Sequence, residues 1–291
     1  MRQPLIVSAL MAVLSSGVLA QAPPAAQGGG RGGQPVQPIQ LVKPGLYIVP
    51  GAGATSVVRV TQDGVILVDG KLPGEQNYND LLAQIRTVTD KPVKFLIVTH
   101  HHADHTGNND RFFAAGVPVI AQENLARNLT TYQFDPKPAM PTITYDKEYA
   151  VHLAQVTVEV HHFGRSHTSG DSIVFFRDLK VVAMSDAMTT GGQGPLIDYA
   201  GGGSALEWKQ VFAEVLKLDF DAAVPGNGPV QTKADVQAYA TKFNTVIERA
   251  TDLVRKGVPK DQFMAQLKTD DIGWAPRIPS IDGLYAELAA R

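Results

Sequence analysis

The chain has 291 residues, 44% of them hydrophobic and 19% charged, with a formal net charge of −2. That is enough apolar material for one large domain, and near-neutral charge without a dense Lys/Arg cluster argues against nucleic acid as a partner. Cysteine is absent, which removes disulfides, thiolate nucleophiles and thiolate metal ligands together.

Residues 1–20 read as a secretory signal. Arg2 supplies the charged start, 5–14 the apolar stretch, and Val18-Leu19-Ala20 a small-residue cleavage site. Ser8, Ser15, Ser16 and Gly17 interrupt the segment, and a membrane span needs about 20 apolar residues. Export to the periplasm or the medium, with no membrane span after cleavage, is therefore expected. Residues 21–40 are mostly Gln, Pro, Gly and Ala, with almost no large apolar side chains. They cannot offset the entropy of ordering and read as a disordered tether. The folded domain is expected over 41–291, with 236–291 as a helical C-terminal extension that could support a homodimer.

The first strand signal lies at 45–49. Strands at 56–60 and 65–70 flank Gln62-Asp63-Gly64, a hairpin signal. The spacing of Leu81, Leu82, Ile85 and Val88 predicts a helix over 77–88. Residues 94–98 form an apolar strand, followed by a short helix at 110–115, a strand at 117–121 and a helix at 123–132. Beyond a loop with Pro136, Pro138 and Pro141, 156–162 alternates as a strand. Residues 172–176 and 180–184 then suggest a hairpin around Arg177-Asp178. Ser204 can cap a helix over 204–218, 222–224 is a last short strand, and Thr232 can open a long amphipathic helix over 232–256.

The densest chemistry is His100-His101-His102-Ala103-Asp104-His105, directly after the apolar strand. If that strand continues to its end, His100 and His102 share one side and His101 points away. Asp104 and His105 then lie past the strand end, free to serve a second metal or a water. Clustered histidines at such spacing are the signature of a metal cradle. Further islands fall at strand ends: Asp69, His167, Asp186 and Pro225-Gly226-Asn227-Gly228. Of eight histidines, five lie in these clusters; His152 reads as a surface residue, and His161 and His162 precede His167 on a strand.

Taken in order, these motifs resemble the metallo-β-lactamase fold superfamily. They are Asp69 in Leu67-Val68-Asp69-Gly70; His100-x-His102-x-Asp104-His105; Gly164-Arg165-Ser166-His167-Thr168; Ser185-Asp186 after an apolar strand; and the Pro-Gly-x-Gly-Pro turn at 225–229. The resemblance implies an α/β (α+β) fold, an αββα sandwich with the site at one edge and helices at the C-terminus. It implies that His100, His102 and His167 hold one zinc. It further implies that Asp104, His105 and Asp186 hold a second, with Asp186 bridging and Asp104 orienting the attacking hydroxide. Asp69 and Asp171 would support the cradle through hydrogen bonds, and His101 would be structural.

One position departs from the pattern. The superfamily normally has histidine at the centre of the last turn, and here it is Asn227. An amide oxygen is a neutral, hard and weaker zinc ligand, so Asn227 implies a loosely held second metal, a single working zinc, or another divalent ion. The expected function is an exported zinc-dependent hydrolase acting on an ester, lactone, thioester or β-lactam amide of a small molecule. β-Lactamases with a cysteine ligand are excluded. The competing expectation is a metal- or ligand-binding protein of the same fold with little turnover. An iron-based redox enzyme of this fold would carry Glu in the second motif, where this chain has His102.

Overall fold

The computed structural model describes residues 34–190, 194–274 and 278–290. The expected signal segment lies outside the described residues. Two mixed sheets make the centre. The first runs in spatial order β1 (Gln40–Lys43), β2 (Leu46–Val49), β3 (Ser56–Val60), β4 (Val65–Val68), β5 (Val93–Ile97), β6 (Val119–Gln122) and β7 (Ile143–Tyr145). The second places β13 (Gln231–Thr232) beside β12 (Ala222–Asn227), then β11 (Val181–Thr189), β10 (Ile173–Phe176), β9 (Val156–His161) and β8 (Glu148–Leu153). Their inner faces meet through Ile48, Val57, Ile66 and Ile97 from one sheet and Val158, Val174, Phe176 and Val224 from the other.

Helices cover both outer faces. On the first sheet lie α1 (Glu75–Arg86), α3 (Asn109–Ala114) and α4 (Glu123–Thr131), which bury Leu81, Ile85, Phe112, Leu125 and Leu129 against Val58, Leu67 and Leu96. On the second lie α5 (Ala205–Val215), α6 (Lys233–Arg255), α7 (Lys260–Gln266) and α8 (Ile278–Ala289). Trp208 and Phe212 of α5 pack on Phe243 of α6 there. Truncating a fully buried aromatic such as Trp208 to Ala costs about 3–5 kcal/mol by lost transfer energy and the cavity left behind. The molecule is thus an αββα sandwich, as the motif order implied.

Local chemistry explains the element ends. The Asp63-Gly64 turn joins β3 to β4 in antiparallel register, Val60 opposite Val65. Ser204 accepts a hydrogen bond from Glu207 N at 3.1 Å, and Thr232 with Asp235 forms a reciprocal cap on α6. Both helices begin where their caps predict. Several strands were not legible from alternation: β1, β7 and β8 are short or at a sheet edge, and β12 runs to Asn227 rather than ending at 224. Residues 34–39, expected within the disordered tether, are instead held against the fold, and residues 21–33 of that expected tether lie outside the described residues. Gln34 O accepts from Ala52 N at 2.9 Å, Gln37 N donates to Pro50 O at 2.8 Å, and Val36 and Ile39 pack beside α1. Backbone pairing and two apolar side chains suffice to fix 34–39.

Candidate metal centre

The site lies where β4, β5 and β12 end, beside Ser185 and Asp186; these two stand within β11 (Val181–Thr189), and not at the strand end that the sequence suggests. At the end of β4 the chain turns sharply: Asp69 takes φ +62° and Lys71 φ +73°. After β11 has begun, Ser185 takes φ +47°. Left-handed backbone at non-glycine residues costs about 1–3 kcal/mol each and persists where surroundings over-determine it. Here they do. Asp69 Oδ1 accepts from Thr99 N at 2.9 Å, its Oδ2 accepts from Thr99 Oγ1 at 2.9 Å, and Ser185 Oγ lies 2.7 Å from Thr99 Oγ1.

Beyond β5 the expectation of a continuing strand fails. The strand ends at Ile97, and α2 (Ala103–Thr106) begins with His102 as its N-cap. His100 and His102 nevertheless meet, because the loop is held by Thr99 on Asp69 rather than by sheet pairing. His100 Nε2 lies 3.1 Å from His102 Nδ1, and His167 Nε2 lies 3.0 Å from the same atom. His167 arrives on the 162–172 loop, which Asp171 anchors by accepting from Thr168 N at 2.8 Å and from the Ser166 hydroxyl at 2.5 Å. Asp171 therefore supports the loop and not the imidazole.

The second cluster joins His100, His105 and Asp186. His105 Nδ1 lies 2.8 Å from Asp69 Oδ2. Its Nε2 stands 3.7 Å from Asp104 Oδ2 and 3.9 Å from Asp186 Oδ1. The other oxygen of Asp186 lies 3.8 Å from His167 Nε2, so this carboxylate sits between the two clusters. Asp104 is the more open of the two, with its side chain 23% exposed.

The imidazole tautomers follow from the outer partners. His102 Nε2 donates to Asp198 Oδ2 at 2.9 Å and His167 Nδ1 donates to Leu196 O at 2.6 Å. Their facing nitrogens are consequently bare lone pairs, and no hydrogen bond can form between them. His105 Nε2 and Asp186 Oδ1 are buried without a hydrogen-bond partner. Tetrahedral zinc with nitrogen at 2.0–2.1 Å sets its ligands about 3.3 Å apart. The spacing of the histidines and the buried, unpartnered His105 Nε2 and Asp186 Oδ1 fit a bound divalent cation.

The electrostatics agree. Burial, reinforced by the neighbouring imidazoles, holds His100 well below the usual histidine range, and burial with His102 takes His101 down to about 3. Burial also opposes charge on His105, but Asp69, Asp104 and Asp186 outweigh it and push that group up to about 10. An excess of carboxylate around one imidazole is what a cation would neutralise. Burial thus disfavours charge on His100 and His167 of the first cluster, while carboxylates gather around His105 of the second.

Two residues that the sequence did not single out shape the centre. Asp198 is buried in the stretch between β11 and α5; besides His102 it takes Gly201 N at 3.0 Å and lies 3.6 Å from His101 Nε2. Burial would raise its carboxyl, but the His102 contact and the Gly201 N–H hold it well below the usual range. Lys71 is fully buried, and its Nζ donates to Val49 O and, at 2.7 Å, to Ala54 O. Burial brings its pKa down to about 7 against the pull of Asp69 and Asp104. His101 packs edge-on against Tyr132. His161 pairs with Glu159, His162 Nδ1 donates to Asp171 O, and His152 faces Thr157, so none of these three joins the clusters. Asn227 is half-buried, and its backbone carbonyl accepts from Thr190.

The metallo-beta-lactamase superfamily model matches residues 48–227, which spans the motifs above up to Asn227 in the last turn. Among curated proteins, the chain is 26% identical over 174 residues to the 2,4-dinitroanisole O-demethylase subunit alpha of Nocardioides sp. (strain JS1661), covering 60% of this chain and 52% of that protein. It is 33% identical over 75 residues to the linear primary-alkylsulfatase of Pseudomonas sp. (strain ATCC 19151), covering 24% of this chain and 14% of that protein. The chain thus spans about half or less of the length of these relatives. Among solved structures, a metallo-beta-lactamase from Pontibacter korlensis superposes with a TM-score of 0.62 at 19% identity, over 72% of this chain and 99% of that one. The DIM-1 metallo-beta-lactamase gives 0.60 at 17% identity, over 72% and 99%. At such identities the likeness is one of fold. With more than half of its residues matched by the family and the metal-type clusters at the family's edge of the sandwich, the chain belongs to the metallo-beta-lactamase superfamily.

Proposed function

We propose that the protein is an exported, zinc-dependent hydrolase of small molecules. His100, His102 and His167 would hold one ion, and Asp104, His105 and Asp186 a second, more weakly held because Asn227 stands where the family has histidine. The observation that carries this reading is the pair of bare nitrogens on His102 and His167 at 3.0 Å beside the unpartnered His105 Nε2 and Asp186 Oδ1. Zinc in such a cradle supplies a Lewis acid and brings the acidity of water near neutral pH.

The chain's own residues then divide the work. Asp104, half-open beside His105, orients water toward the substrate and takes up its proton. Asp69 and Asp198 fix the tautomers of His105 and His102, so that each imidazole offers a lone pair inward. The buried histidine cluster excludes bulk water from one side of the site. Esters, lactones, thioesters and β-lactam amides share an electrophilic carbonyl that this arrangement can attack. The names of the two curated relatives add an aryl methyl ether and a sulfate ester to the panel worth testing.

The test joins metal content to turnover. Zinc-loaded protein should hydrolyse at least one member of such a panel, a chelator should abolish the activity, and His102→Ala or Asp104→Ala should remove it. Hydrolysis retained in those variants would overturn the reading. Zinc binding with no turnover on any substrate would favour the rival reading, a binding protein, for which Asn227 is the motivating residue.

A further inference from the structure

The segment 196–204, between β11 and α5, has two sides. On one it meets the histidines. Leu196 O accepts from His167 Nδ1 at 2.6 Å, Asp198 Oδ2 accepts from His102 Nε2 at 2.9 Å, and Asp198 N donates to His167 O at 2.8 Å. On the other it meets the C-terminal helices. Ile197 is buried in the core built by Phe243, Trp274, Ile281 and Leu284, and the Tyr199 ring packs against that core. Contacts at 196 and 198 thus go to the metal-type cluster, and the side chains at 197 and 199 go to α6 and α8.

Glu287 of α8 closes the second side. Its Oε2 accepts from Tyr199 Oη at 2.8 Å and from Ala205 N at 3.0 Å, and its Oε1 accepts from Ser204 Oγ at 2.5 Å. One carboxylate therefore ties down both Tyr199 and the first turn of α5, where the helix dipole also favours negative charge. Hydrogen bonds to an ionised acceptor are the stronger kind. Burial and the Glu287 carboxylate push the Tyr199 phenol above its ordinary range, so it stays a donor. Gly283 lies one turn before Glu287 on the same helix face. A Cβ there would stand 1.9 Å from Tyr199 Cδ2, so the glycine, unfavourable inside a helix, makes room for the ring. The path from this grip to the histidines is short: Gly203 N donates to Asp198 O at 2.8 Å and Ser204 N to Ser166 O at 3.1 Å.

On the metal-centre reading above, we propose that α8 holds the 196–204 segment from behind the site and that Glu287 is a positioning residue for the His100–His102–His167 cluster. Glu287 touches none of these histidines. It acts through Asp198 and Leu196 O, which take the outward N–H groups of His102 and His167 and so aim their other nitrogens at one point. The last helix of the chain, which carries no metal-type motif of its own, thereby sets how tightly the cradle holds a cation.

The test is made on the full chain, with and without zinc. Amide hydrogen exchange is followed at Asp198 and Gly203, whose N–H groups donate to His167 O and Asp198 O. In Glu287→Ala both amides should exchange about tenfold faster, because losing charge-assisted hydrogen bonds permits local opening. Amides within β10 and β11 should keep their native rates. Zinc affinity, read by competition titration, should fall about tenfold, the lower end of the range for groups that orient a ligating imidazole. That loss should shrink in an Asp198→Ala background, because the effect passes through Asp198. Glu287→Gln keeps one acceptor oxygen and should lie between the native chain and the alanine variant. Tyr285→Phe removes a different α8 hydrogen bond, to Val258 O, and should leave exchange at both amides and zinc affinity native. Native exchange at Asp198 and Gly203 in both Glu287 variants, an equal zinc loss in either background, or matching effects in Tyr285→Phe would overturn the proposal. If the native chain binds no zinc, the metal reading fails by itself, and exchange at the two amides still decides whether Glu287 holds the segment.

Discussion

His102 and His167 face one another through nitrogens 3.0 Å apart that have no proton to share, because each ring has already committed its N–H outward, to Asp198 and to Leu196 O. Two lone pairs at that distance repel. A cation between them converts the repulsion into coordination, so metal binding should couple strongly to stability. Zinc at about one hundred times its Kd stabilises a native state by roughly 2.7 kcal/mol. Thermal melts should rise by several degrees on adding zinc and fall back with chelator, and the rise should vanish in His102→Ala and His167→Ala. A melting temperature indifferent to zinc would sink the assignment.

The Asp198 carboxylate orients the metal-type cluster through its 2.9 Å contact with His102. Carboxylates that orient a ligating imidazole typically contribute 10–100-fold in metal affinity. Asp198→Ala should therefore weaken zinc binding by about that factor in a competition titration. Asp198→Asn keeps an acceptor for His102 Nε2 but loses the charge, and should fall between the two. An alanine variant with unchanged affinity would show that Leu196, Asp171 and the loops position the histidines without it.

How far the sequence reveals this site depends on chain distance. The cradle is legible because His100, His102, Asp104 and His105 are near neighbours in the chain, and because the other motifs follow strands whose apolar runs are plain. Asp198 and Lys71 are not legible. Their partners lie 96 and 17–22 residues away, and nothing in composition or period marks an aspartate in a Gly-rich loop as buried. The expected alternation of His100 and His102 along a strand reached the correct pairing through incorrect geometry: the sheet ends at Ile97, and Asp69 holding Thr99 sets the loop instead. Edge strands such as β1 and β8 carry too little alternation to be seen.

Lys71 clasps the two ends of the loop that contacts Asp104, donating to Val49 O and Ala54 O from a fully buried position. Burial lowers its pKa to about 7 from 10.5. In the window between those values the unfolded chain binds more protons at this residue than the native chain, so its contribution makes stability rise with pH, by at most about 1.4 kcal/mol per pH unit. Below pH 7 both states are protonated and the burial penalty is present in full. Lys71→Met lacks this ionisation but leaves two buried carbonyls unpaired. Urea midpoints at pH 7 and pH 9.5 should show the native protein gaining on the variant as pH rises. A gap independent of pH would mean that Lys71 keeps its ordinary pKa.

Gly53 bears on the same loop from the other side. Its φ of +94° disfavours any side chain, and the space a Cβ would need is taken by Asp104. Gly53→Ala must shift either the loop or the carboxylate, so it should cost more than the roughly 1 kcal/mol typical of a glycine-to-alanine change at positive φ. Because the obstruction is Asp104 itself, turnover should fall more than stability does: zinc at the His100–His102–His167 cluster should be retained while kcat drops at least tenfold. A variant that unfolds outright would leave the loop's role open to Leu72 contacts alone, so Gly53→Ser, whose side chain meets the same atoms, serves as the second measurement. Full activity in either variant would show that Asp104 does not depend on the position of this loop.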